Sequence, residues 1–269
     1  MENGRAAPGR HPDGGAGTVF VVEERPGDMG APPLLELSGV SRVYGKRTAL
    51  ATMNLRLRSG KCVALLGHNG SGKSTLLRIA AGRDRPSTGT VKFDGKPMNE
   101  NDPAVRARVA VVGDTAACYP DLTVREHLQL VAVAHGVEDA GDWIGHVLAD
   151  RMLTDHADAL PGALSSGQLQ SLLLASAMVR PRDLLLLDEP EQRLDPGARR
   201  RLADLIKKET ADGVGVLLVT HHGELARAVA DRVLVLSDGK VVADGHPDKV
   251  LATGTDGLTW LAESPDGAR

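Results

Sequence analysis

Two segments of this chain combine residue types and spacing suited to phosphate chemistry. The first, Gly67-His68-Asn69-Gly70-Ser71-Gly72-Lys73-Ser74, fits the pattern GxxxxGK[ST]. It stands between an apolar run, Val63 to Leu66, and a stretch with helical spacing, Thr75 to Ala81. Glycines let the backbone bend until several N–H groups point inward at phosphate oxygens. The positive end of the following helix adds to the attraction. In such a loop Lys73 reaches the β- and γ-phosphates as a point charge, Ser74 offers its hydroxyl to Mg2+ and Thr75 touches the α-phosphate. The second segment is Leu184 to Leu187 running into Asp188-Glu189. Four apolar residues ending in two carboxylates describe a buried strand with acid at its C-terminal end, where ligands gather in open α/β sheets. Asp188 is expected to hold Mg2+ through water, and Glu189 to polarise an attacking water as general base.

These side chains need a scaffold that brings distant segments to one edge. Val63 to Leu66, Val109 to Val112, Leu184 to Leu187, Gly215 to Val219 and Val233 to Leu236 read as strands buried on both faces. Leu34 to Leu37 and Ala49 to Leu57 alternate apolar with polar residues, as half-buried strands do. Thr90 to Asp94 is a further short strand that ends in the turn pair Asp94-Gly95. A helix from Pro196 to Thr210 carries its proline near the start. Strands alternating with helices indicate an α/β fold with a parallel sheet covered on both faces. Leu122 to His135, Trp143 to Met152 and Gln168 to Val179 have helical spacing and are separated by Gly and Pro breakers. They read as a helical subdomain that interrupts the sheet. Residues 1–32, rich in Gly, Pro, Arg and Glu, read as a disordered extension, and 246–269 as a tail packed back on the core.

Composition narrows the class. The 269 residues are 42% hydrophobic, enough for a sizeable core. A formal net charge of −3 lacks the basic footprint of a duplex-binding protein, so no nucleic-acid partner is expected. Cys62 and Cys118 lie far apart with no CxxC, as in a protein with two buried thiols in a reducing compartment. No apolar run approaches the ~20 residues of a membrane span. The N-terminus lacks the apolar core of a signal peptide. The expectation is a cytoplasmic chain, held at a membrane only by another chain. The basic run Ala198 to Lys208 reads as the solvated face of a helix whose apolar stripe is Leu202 and Ile206.

A third segment, Leu164-Ser165-Ser166-Gly167-Gln168, precedes Asp188. Taken with the two segments above, it resembles the LSGGQ signature of the ATP-binding-cassette (ABC) ATPases, over about residues 33–245. The resemblance implies a P-loop NTPase fold: a RecA-like parallel-sheet core, an N-terminal antiparallel β subdomain and an inserted α-helical subdomain at about 115–179. Tyr44 matches the aromatic that stacks on adenine, in a chain with only two Tyr, two Trp and two Phe. Leu194-Asp195 matches the D-loop, which crosses to the other subunit, and His221, after Val219-Thr220, matches the switch histidine at the γ-phosphate. The implied catalytic set is Lys73, Glu189 and His221. The implied ATP contacts are Tyr44, then Gly67, His68, Asn69, Gly70, Ser71, Gly72, Lys73, Ser74 and Thr75, with Asp114. From a second cassette come Ser165, Ser166, Gly167 and Gln168. Ser74, Asp188 and Asp114 would hold Mg2+. The family pairs two cassettes head to tail around ATP, as a homo- or heterodimer, on the cytoplasmic face of the cell membrane. Hydrolysis is expected to drive a separate membrane permease, here in the direction of export, since no extended C-terminal regulatory region is visible.

The sequence departs from the family pattern at several positions. Asp114 stands where Gln is usual, replacing a neutral amide with a charged acceptor. Ser166 replaces the first signature Gly, and Ser171 and Ser176 stand where Arg is frequent. His222 follows His221 where Asp is usual, and Gln192-Arg193 replaces small residues before the D-loop. These changes motivate an alternative, a cassette that binds nucleotide but hydrolyses it weakly within an asymmetric heterodimer.

Overall fold

The computed structural model describes residues 32–113 and 118–251. The N-terminal extension, Asp114 and most of the C-terminal tail lie outside the described residues. Among the described residues, ten strands form two sheets. β1 (Leu35–Tyr44), β2 (Arg47–Leu57), β4 (Thr88–Phe93) and β5 (Lys96–Pro97) make an antiparallel sheet in the order β2-β1-β4-β5. β3 (Cys62–Leu66), β6 (Val109–Val112), β7 (Leu184–Asp188), β8 (Gly215–Val219), β9 (Arg232–Ser237) and β10 (Lys240–Gly245) make the second, in the order β10-β9-β3-β8-β7-β6. All its pairs are parallel except β10 with β9. The antiparallel sheet, the parallel core and the helices together give the P-loop NTPase architecture expected from the sequence.

Alternate residues of the parallel strands feed two cores, because side chains of a strand point to opposite faces. Cys62, Ala64, Leu185, Leu187, Val216 and Leu218 belong to one; Val63, Leu65, Leu184, Leu186, Leu217 and Val219 belong to the other. The second is closed by α1 (Lys73–Ala80) and by the antiparallel sheet. The first is closed by α3 (Val124–Ala134), α4 (Gly141–Asp150), α5 (Ser166–Met178), α6 (Pro196–Ala211) and α7 (Gly223–Val229). Two short helices remain, α2 (Pro103–Arg108) and α8 (Pro247–Val250). The stripe on α6 is as expected, with Leu202 and Ile206 buried. Both cysteines are free thiols, Cys62 buried and Cys118 half-buried.

Strand order reverses around β3. Its neighbours β8 and β9 both come late in the chain, and β6 and β7 lie on one side only. Crevices open at such a reversal, beyond the C-terminal strand ends. β3, β7 and β8 run parallel there, so the segments that follow them converge.

Candidate active site

The loop after β3 needs glycine at two close approaches. At Gly67 (φ 154°) a Cβ would sit 2.3 Å from the Leu236 carbonyl and 2.5 Å from Ser71 Oγ. At Gly72 (φ 105°) it would sit 2.6 Å from the Ala49 carbonyl. Gly72 is also the N-cap of α1 and has no side chain to engage the first-turn N–H groups, which leaves them for a ligand. Ser71 is fully buried and its hydroxyl has no protein partner.

Lys73 is 4% exposed, and its Nζ donates to the carbonyls of Gly67 (2.8 Å) and His68 (3.0 Å). It lies 3.9 Å from Glu189 Oε1. Burial pushes the Lys73 ammonium below its usual range, and Glu189, Asp188 and Glu191 oppose that shift. Ser74 Oγ, in the first turn of α1, donates to Asp188 Oδ1 at the end of β7 at 3.4 Å. A hydroxyl and a carboxylate oxygen so placed suit a hard, oxygen-loving cation, so these residues fit Mg2+.

Glu189 follows β7 with φ 47°, in the left-handed region that a non-glycine residue adopts at a cost. Its N–H donates to the Val219 carbonyl, which ties the turn to β8. Its side chain accepts from Gln192 Nε2 and lies 3.8 Å from His221 Nδ1. Glu191, two residues on, is fully buried. It accepts a hydrogen bond from the Thr220 hydroxyl and lies 3.9 Å from the same His221 nitrogen. Burial raises the Glu191 carboxyl above the usual carboxylate range.

A cleft of about 380 Å3 joins these parts, lined by Tyr44, Arg47, Asn69, Gly70, Gly72, Lys73, Ser74, Thr75 and Glu189 among others. Tyr44 is 40% exposed; its hydroxyl donates to Asp84, and the Arg42 guanidinium lies 4.3 Å from its ring centroid. Arg47 and Arg78 line the cleft and were not singled out by sequence. Arg47 follows Lys46 after Tyr44-Gly45, and nothing in that spacing sets it apart from other surface cations. Gln192 did stand out, as a departure from small residues, but its contact with Glu189 depends on the turn after β7.

The signature segment does not line this cleft. Ser165 is the N-cap of α5 and forms a reciprocal capping box with Gln168. Gln168 Nε2 also meets His156 Nε2 at 2.7 Å. Ser176, which stands where Arg is frequent in the family, is used inside the helical region: its hydroxyl bonds the Leu172 carbonyl and buried His127. Asp195 caps its own helix α6 through the Ala198 N–H at 2.8 Å. Asp114 lies outside the described residues. Among the described residues, no helix is long and apolar enough to cross a membrane.

Residues 50–192 match the family model described as ABC transporter. The chain is 34% identical over 239 residues to the Nod factor export ATP-binding protein I of Paraburkholderia xenovorans (strain LB400), covering 87% of this chain and 79% of that protein. It is 34% identical over 213 residues to the SkfA peptide export ATP-binding protein SkfE of Bacillus subtilis (strain 168), covering 78% of this chain and 88% of that one. Among solved structures, it is similar to a dimeric post-hydrolysis state of the ATP-binding cassette MJ0796 bound to ADP and Pi. The TM-score is 0.73 at 28% identity, covering 79% of this chain and 98% of that one. A phosphate cradle at the sheet reversal, acid at the neighbouring strand end and these relatives converge on one assignment: the chain belongs to the ABC transporter family and is one of its ATP-hydrolysing, ATP-binding subunits.

Proposed function

We propose that this ATPase pairs two cassettes around ATP to power export through a separate membrane permease. Its ATPase unit would span about residues 33–245, with the helical region at about 115–179 facing the permease. The names of the two relatives above support export, and the dimeric state of MJ0796 supports pairing. The observation that carries the reading is the cleft itself, in which Tyr44, Lys73, Ser74 and Glu189 share one wall system at the sheet reversal.

In this reading the triphosphate lies along the Gly67–Thr75 loop, taking up the free N–H groups at the start of α1. Lys73 turns from the loop carbonyls toward the β- and γ-phosphates. Tyr44 stacks on the base, and Arg47 adds positive charge beside it. Ser74 and Asp188 would hold Mg2+, with Asp114 as the further ligand. When bound, that ion neutralises charge on the phosphate oxygens. Glu189, held by Gln192, orients and deprotonates the attacking water. His221 reports on the γ-phosphate from the end of β8. Ser165, Ser166, Gly167 and Gln168 of the second cassette close over the γ-phosphate with the start of α5, a second helix end that favours anions.

The experiment is Mg-ATP turnover by the purified chain and by Glu189→Gln. The variant should lose about 10³-fold in rate, which is about 4 kcal/mol of barrier, while still binding ATP. An unchanged rate would remove Glu189 from its role. The weakly hydrolytic heterodimer reading would be favoured by negligible turnover of the wild-type chain alone.

A further inference from the structure

Three residues beside the cleft form a cluster that the reaction does not use as a unit, although His221 alone has a role in it. Glu191 stands in the turn after β7; His221 and His222 stand in the turn after β8. Each brings one ligand atom, and all three atoms lie within 4.8 Å of one another. The Glu191 side chain is fully buried. One oxygen accepts from the Thr220 hydroxyl, while Oε2 has no protein partner. A buried carboxylate oxygen without a partner is costly and calls for an explanation, an ion among them. The two imidazoles are neighbours, with centroids 4.5 Å apart and planes at 35°. The turn that carries them is pinned, since the His222 N–H donates to Thr220 Oγ1 at 2.9 Å. Thr220 thus ties the carboxylate and the histidine turn together.

We propose that Glu191, His221 and His222 form a binding site for a zinc-like divalent transition-metal ion, distinct from the magnesium ligands Ser74 and Asp188. Two imidazole nitrogens and one carboxylate oxygen suit zinc or cobalt and do not suit Mg2+, which takes oxygen ligands. Three protein ligands leave a fourth position open to water. Closing ligand bonds to about 2.0–2.2 Å asks for a small rotation of exposed His221 and half-buried His222 toward the fixed Glu191. A metal held there withdraws His221 from the γ-phosphate, so zinc should inhibit ATP turnover. That consequence rests on the function proposed above; the site itself does not.

The test is a cobalt titration of the full-length chain without an affinity tag, stripped with chelator and free of nucleotide. Wild type should show the intense visible bands of four-coordinate Co2+ at one equivalent, displaced by Zn2+. Cobalt at Ser74 and Asp188 would be six-coordinate and give only weak bands. Glu191→Gln and His222→Gln should each weaken binding by about 100-fold or more, the upper end of what losing even an outer partner costs. Thermal melts of both variants, one at a buried and one at a half-buried position, check that they remain folded. No four-coordinate spectrum in wild type, or one that both variants keep unchanged, overturns the proposal. Cobalt binding in a chain that fails to hydrolyse ATP would instead overturn only the reading of function.

Discussion

Glu189 is held from three sides: Lys73 and His221 approach its carboxylate at 3.9 Å and 3.8 Å, and Gln192 donates to it. Its backbone is in the left-handed region, so the side chain is aimed by a turn that costs free energy to keep. Gln192→Ala should therefore lower kcat by about 10–100-fold through misplacement of the base while ATP affinity stays within about twofold. Steady-state kinetics beside equilibrium nucleotide binding would show it, and an unchanged kcat would leave Gln192 with no positioning role. The glycine loop and the Asp188-Glu189 pair were legible in the sequence because each is one contiguous segment whose spacing is its function. Gln192, Arg47 and Glu191 were not legible as site residues. Gln192 meets Glu189 only through the local turn after β7, while Arg47 meets the phosphate loop and Glu191 the histidine turn only because the fold makes them adjacent.

At the scale of elements, the signature serine is first a helix cap. Ser165 Oγ accepts the Gln168 N–H, and Gln168 Oε1 accepts the Ser165 N–H. Ser165→Ala should destabilise the nucleotide-free chain by about 1 kcal/mol, read from denaturant unfolding, whatever its effect on turnover. A stability equal to wild type would mean the box contributes nothing there. The helical region also holds a buried histidine. His127 is 2% exposed, bonds Ser176 through Nε2 and has no protein partner at Nδ1. Burial pushes its imidazole below the ordinary value of 6.5. The unfolded chain therefore binds the extra proton first as pH falls. Stability from neutral His127 is present above 6.5 and lost as pH drops through the lower folded value. His127→Gln should narrow the gap in melting temperature between pH 7.5 and 5.5, which paired melting curves would measure. Parallel strands and long helices were legible because continuous apolar runs, helical spacing and Gly or Pro breakers announce them. Irregular pieces were not. β1 runs to Tyr44, beyond the expected Leu37, through register shifts at Leu37/Val40 and Val40/Arg42. β10, α2 and α7 were absent from the sequence reading, because short or half-exposed pieces carry little periodic signal.

At the scale of the whole molecule, the structure separates two parts that the reaction needs together. The cleft is lined by the phosphate loop, Glu189 and Tyr44, while the signature helix start does not line it. On the function proposed above, a single chain presents half of a site on each of two surfaces, and a second cassette would complete it. The most direct measurement is the sedimentation of Glu189→Gln with saturating Mg-ATP, beside the double variant Glu189→Gln/Ser165→Arg. An ATP-dependent dimer is expected for the first and a monomer for the second, because a bulky side chain replaces the serine proposed to meet the γ-phosphate. A dimer that forms equally without ATP, or one that survives the arginine, would contradict the proposed pairing.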